Sequence, residues 1–161
     1  MKNISKSILF ASVFLTLTLT ATSVFADWDN SAKDKTTPVD PIIEQAKTMK
    51  EKKDWTAGAA LLKDAIAKQP MNSEYHKLYA YMLRKSAKPD MDLVFKQYAE
   101  SLKLDPKNRG AHEYVGEAYL MVNNLNKAKE HLASLEKLCS SNCDEYAELK
   151  NAINQYETEK K

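Results

Sequence analysis

The residues best suited to chemistry lie in "LCSSNCDEY", Leu138 to Tyr146, which holds the only two cysteines of the chain. Cys139 and Cys143 are four positions apart, and His131 precedes Cys139 by eight. Three chemistries use such residues: a disulfide staple, a reactive thiol pair, or a metal site that recruits His131. The spacing does not match a thioredoxin-type redox motif, which has two intervening residues and a βαβ context. Two or three ligands without a carboxylate or a further cysteine make a weak metal site. Elsewhere there is no nucleophile–base constellation and no glycine-rich phosphate loop. The expectation is a protein without catalytic residues, resident metal or cofactor, and not an enzyme.

The compartment bears on the cysteines. The chain opens MKNISKS, with Lys2 and Lys6 and no acid, and continues with an apolar run from Ile8 to Leu19. Small residues then lead to Val24-Phe25-Ala26. A charged start, a short apolar core and a small-x-Ala end predict a cleaved signal over residues 1–26. The run is short for a bilayer, which needs about 20 residues. No cysteine follows it, so no lipid attachment is expected. Removal leaves 135 residues, the size of one domain. Of 24 basic residues, Lys2 and Lys6 fall in the signal, which leaves 22 against 22 acidic. A neutral exported chain is a poor nucleic-acid binder by bulk charge. Past residue 26 no run is long enough to span a membrane. The expected location is periplasmic or secreted, where paired cysteines are bonded.

The elements that must position these residues are helical. Three glycines, five prolines, and an abundance of Ala, Leu, Lys and Glu argue for helices. Trp55, Leu62, Ala65 and Pro70 recur as Met91, Tyr98, Ser101 and Pro106, each shifted by 36. They recur again as Leu125, Leu132, Leu135 and Ser140, shifted by 34. Ile42, Ala46 and Met49 recur as His76, Ala80 and Leu83, then as His112, Gly116 and Tyr119. The pattern is a 34-residue helix-turn-helix repeat in three copies, with a two-residue insertion at the Pro89 turn. Pro70 and Pro106 end helices.

The predicted fold is all-α: an α-solenoid of three such repeats plus a C-terminal capping helix. A polar leader spans 27–38, the helical domain 39–158 and a tail 159–161. Helices are expected near 41–52, 55–68, 73–86, 91–104, 109–121, 125–138 and 143–157. Small residues at Ala46, Ala80, Gly116 and Ala128 let helices approach closely. Trp55, Leu62, Tyr98, Tyr119, Ala128 and Leu132 are expected in the core. His76 and His112 occupy equivalent packing positions. Tyr146, Leu149 and Ile153 give the last helix one apolar stripe, and Lys150 marks it as a solvating cap. Asn142 with Glu145 reads as a capping box that starts it.

"GEAYLMVNNLNKAKEHL" and "YAESLKLDPKN" resemble the tetratricopeptide repeat (TPR) family, and the resemblance covers about residues 39–140. It departs at Gly58 and Val94, where alanine is usual, and at Ile42, His76 and His112, where tryptophan is usual. In stacked helix pairs the first helices line a shared concave face. Spacing away from the small residue selects Ile43, Lys47 and Lys50; Lys77, Tyr81 and Arg84; and Glu113, Glu117 and Leu120. Such a face is basic at its amino-terminal side and acidic at the other, with Tyr81 central, and fits a protein or peptide partner. The family's clamp for a carboxylate-ending peptide uses a Lys/Asn pattern that these residues do not reproduce.

Cys139 ends the sixth helix and Cys143 opens the seventh, with Ser140 where earlier repeats carry proline. A disulfide there would fix the bend and seat the cap. The functional expectation is a non-catalytic interaction scaffold or assembly factor in the periplasm. The alternative is a thiol-redox or metal-handling accessory built on Cys139, Cys143 and His131.

Overall fold

The computed structural model describes residues 39–139 and 142–160. The expected signal and leader, the Ser140 turn position and the final residue of the expected tail lie outside the described residues. Among those described there are seven helices and no strands. They are α1 Pro41–Glu51, α2 Trp55–Lys68, α3 Ser73–Lys85, α4 Met91–Leu104, α5 Arg109–Met121, α6 Leu125–Cys139 and α7 Asp144–Glu159.

Local signals set most helix starts. Asp40, Asp54, Asn72, Asp90 and Asn108 each accept a hydrogen bond from a backbone N–H in the first turn of the helix that follows. Asn124 does the same for α6, accepting from the Lys127 N–H at 3.2 Å. These short side chains satisfy donors that no helical carbonyl can reach. Helix α7 departs from the expectation. It begins after Cys143 without a side-chain cap, so the Asn142–Glu145 box does not form. Glu145 instead reaches across to Arg109 of α5.

The turns repeat as well. Lys53 and Asn123 adopt the left-handed conformation at φ 58° and 59°. The next N–H then bonds back to the penultimate turn, Asp54 to the Met49 carbonyl and Asn124 to that of Tyr119. The two-residue insertion replaces this turn in the second repeat.

Helices pack in sequence, and each first helix also packs on the next: α1 on α3, α3 on α5, α5 on α7. That order is a solenoid. Ala46, Ala80, Gly116 and Ala128 are buried at the approaches, with Leu62 and Tyr98 filling the space between. Trp55, Tyr119 and Leu132 are half-buried instead of buried. Each sits at the margin of a core cluster; Tyr119 stacks on Phe95 at 4.6 Å and faces His131. A polar seam joins the second and third repeats. Asn108 Nδ2 donates to Ser73 Oγ and Glu74 Oε1, and Ser73 Oγ bonds the Ser101 carbonyl.

Candidate functional site

The chemistry-bearing residues separate into three places. Cys139 and Cys143 are bonded to each other, with Cα atoms 5.9 Å apart, across the α6–α7 bend. His131 is engaged elsewhere: its Nδ1 lies 3.0 Å from His112 Nδ1. His112 Nε2 faces the Pro106 carbonyl at 3.1 Å, so that nitrogen carries the proton and Nδ1 accepts from His131. His76 makes the same bond one repeat earlier, to the Pro70 carbonyl at 2.8 Å, with Gln97 in the place of His131. Each histidine thus ties its helix to the proline loop before it. Burial and the neighbouring His112 lower the His131 pKa to about 4. Among the described residues no group of three His, Cys, Asp or Glu could hold a metal ion.

The third place is the face shared by α1, α3 and α5. Tyr81 of α3 and Tyr114 of α5 lie with ring centroids 4.7 Å apart, and Trp55 meets Tyr81 edge-on at 6.1 Å. Lys50 of α1 crosses to donate to Tyr114 Oη at 2.9 Å, with its ammonium 4.6 Å from the Tyr81 centroid. Arg84 and Lys85 also approach the Tyr81 ring, at 5.3 and 5.7 Å. A ring face attracts cations through its quadrupole, by about 0.5–1 kcal/mol at exposed sites. Arg84 is buried and donates to Glu117 Oε2 at 2.6 Å. Burial opposes its charge, but Tyr98 and Glu117 more than restore it. Its Nε and the Tyr98 hydroxyl complete no hydrogen bond of good geometry. Burial, with help from Glu113, Glu117 and Glu148, raises the Tyr114 hydroxyl to about 12, so it stays protonated.

The structure therefore brings together Lys50, Tyr81, Arg84 and Glu117, while Ile43, Lys47, Lys77, Glu113 and Leu120 are engaged in other contacts. Lys47 and Lys77 are held in local pairs with Glu44 and Glu74, at 2.7 and 2.6 Å. Ile43 packs on the first core cluster. Arg84 and Glu113, expected on the surface, are each 4% exposed. Leu120 packs with Leu149 and Ile153. The cause for Glu113 and Leu120 is α7, which covers a side of α5 that helix periodicity leaves open. Tyr114 and Lys85 are the additions. Tyr114 stands one turn before Glu117, and Lys85 follows Arg84, but neither has the spacing that selects the face.

No family model matches the chain, and no curated protein matches it. Solved structures do. Two structures of SycD, the type III secretion translocator chaperone of Yersinia enterocolitica, align with a TM-score of 0.62 at 13% and 14% identity. Each alignment covers 74% of this chain, and 83% and 92% of the respective SycD chains. SycD in complex with a peptide of the translocator YopD aligns with a TM-score of 0.61 at 14% identity, over 74% of this chain and 92% of that one. The shared feature is the fold. This chain has a TPR-like helical-repeat fold.

Proposed function

We propose that the chain is an exported, non-catalytic TPR protein that captures a segment of a partner protein across the face of α1, α3 and α5. The observation that carries this reading is the convergence of Trp55, Tyr81, Tyr114 and Lys50, drawn from four helices, on one half-exposed aromatic shelf. Half-buried tyrosines ringed by cations give rigid contact area with little side-chain entropy to lose. SycD, with the same fold, has been seen with a peptide of its translocator. Export is supported by the charged, apolar and small-residue order of residues 1–26. Among the described residues no helix is long and apolar enough to cross a membrane.

The test is capture of crosslinked partners by the mature protein from the compartment it occupies in its own cell. Tyr81→Ala with Lys50→Ala should lose the captured band while keeping the parent's helical circular dichroism, with some loss of melting temperature because Tyr81 also packs on the first core cluster. Arg84 is left intact, because removing it would strand the Glu117 carboxylate and lower stability. Unchanged capture by the double variant would move the binding surface away from this shelf. Sequencing the mature amino terminus tests export: it should begin at Asp27.

A further inference from the structure

The first helices α1 and α3 pack on each other, and both end at one edge of their shared face. Lysines collect there. Lys50 stands in the last turn of α1, with Lys52 and Lys53 in the turn that follows; Lys85 ends α3, and Lys88 lies in its loop. None of these lysines makes an ion pair with a described residue. Elsewhere on the first helices the cations are paired: Lys47 with Glu44, Lys77 with Glu74, Arg84 with Glu117 and Arg109 with Glu145. The acids of the edge are Glu51, Asp54 and Asp90, and the last two accept backbone N–H bonds as helix caps. The negative end of a helix accounts for lysines in a last turn. It does not account for where they point. The ammoniums of Lys50 and Lys85 lie 4.6 and 5.7 Å from the Tyr81 centroid, and that of Lys50 lies 5.1 Å from the Tyr114 centroid. The edge offers positive charge and ring surface in one place.

The next stretch of the same edge is apolar. Met121 and Val122 at the end of α5 are 51% and 41% exposed, and Asn123 and Asn124 after them carry no charge. Met121 adjoins the aromatic shelf: its Sδ lies 4.0 Å from Arg84 Nη1, and that guanidinium lies 5.3 Å from the Tyr81 centroid. An exposed methionine and valine beside half-buried tyrosines form a contact surface that adapts in shape. The lysine excess ends where α7 arrives. Tyr156 Oη bonds Asn123 Oδ1 at 3.1 Å, and Glu157 and Glu159 outnumber Lys160 beside it.

We infer that the segment captured on the shelf is acidic at one end and apolar at the other. Its carboxylates lie against Lys50 and Lys85, a large apolar side chain rests on Tyr81 and Tyr114, and an apolar run covers Met121 and Val122. The inference rests on the shelf being the capture surface and adds the chemistry of what is captured. Complementary charge fixes the direction of the segment, because the reverse order sets carboxylates beside Met121 and leaves the lysines unmatched. The carboxylates belong to side chains, so a free chain end is not required. A nucleic acid fits less well. The Tyr81 and Tyr114 rings are 4.7 Å apart and tilted by 49°, and Trp55 meets Tyr81 at 65°, which leaves no parallel faces on which successive bases stack.

Fluorescence anisotropy of labelled, carboxyl-amidated peptides on the oxidised mature protein tests this. The probe carries a glutamate run, a central phenylalanine and a leucine run. One control replaces the glutamates by lysine, and the other replaces the leucines by serine. At low salt the probe should bind at least about tenfold more tightly than either control. Its lead over the lysine control should shrink as salt is raised. Lys85→Glu, at an exposed position, should weaken the probe by about fivefold or more and tighten the lysine control. Tyr81→Ala, checked for folding by circular dichroism, should weaken the probe by about tenfold or more.

Equal affinity for the glutamate and lysine peptides, with both lost in Tyr81→Ala, overturns the acidic segment and keeps the shelf. A probe that binds but ignores both Tyr81→Ala and Lys85→Glu overturns the shelf and the inference with it. An oligothymidylate that displaces the probe at equal concentration marks a general polyanion site and overturns the inference. Failure of the probe to bind, in a protein that still captures its partner through Tyr81 and Lys50, overturns the inference alone.

Discussion

At the α2–α3 seam Gly58 faces the thioether of Met82, whose Sδ and Cε lie 2.9 Å from where a Cβ would stand. At the α5–α7 seam Gly116 faces the branched end of Leu149, with Cδ2 at 2.6 Å and Cδ1 at 2.7 Å. Both seams use a missing side chain to bring helices together. They differ in what can give way. Met82 is unbranched and can shift a flexible terminus. Leu149 is as fully buried as Met82 but sets two branched methyls against the glycine, which no single flexible terminus can withdraw. The interior of the solenoid is built with slack, and its capped end is built without it.

The comparison is broken most directly by Gly116→Leu. It should overpack the α5–α7 seam and lower stability by about 1–3 kcal/mol in chemical denaturation. A parent-like melt would mean that α7 does not pack here. Reduction of Cys139–Cys143 comes next. The closed loop of five residues implies an effect of about 2 kcal/mol. It should appear as faster hydrogen exchange in α7, with α1 to α6 unchanged. Uniform loss of protection would mean that the bond supports the whole stack.

The third test joins equivalent sites in the second and third repeats. His131→Gln gives His112 the partner that His76 already has in Gln97. The folded pKa of His131 lies at about 4, below its ordinary 6.5. Its contribution is therefore complete above pH 6.5 and lost as pH falls toward 4. The variant should lose part of this acid sensitivity in thermal melts between pH 7 and 4. Equal slopes for parent and variant would show that the His–His pair is not its source. The smallest effect belongs to Gly58→Ala. The helix-propensity gain of about 1 kcal/mol offsets the displacement of Met82, so stability should stay within about 1 kcal/mol of the parent. A loss as large as that of Gly116→Leu would erase the distinction between the seams.

The repeat was legible because its evidence is local and periodic. Small residues recur at shifts of 34 and 36, and prolines follow the helices; each acts within a few residues of itself. Seven helices follow from that, with starts and ends within two residues of expectation. The face shared by α1, α3 and α5 was half legible. Lys50, Tyr81 and Glu117 fall on it by helical spacing, but Tyr114 and Lys85 enter only because neighbouring helices converge there.

The sequence by itself determined the helices and their order, because periodicity and helix-ending prolines are properties of neighbours along the chain, while it left the cysteines open between a staple, a thiol pair and a metal site until the bond was seen. Tertiary structure alone decided which charges stay in water. Arg84 and Glu113 carry the same helical signals as Lys50 and Glu117, yet each is 4% exposed. Burial depends on what arrives from the far side: Glu117 and Tyr98 around Arg84, and α7 over Glu113. A single helix has faces, but only packing says which of them is dry.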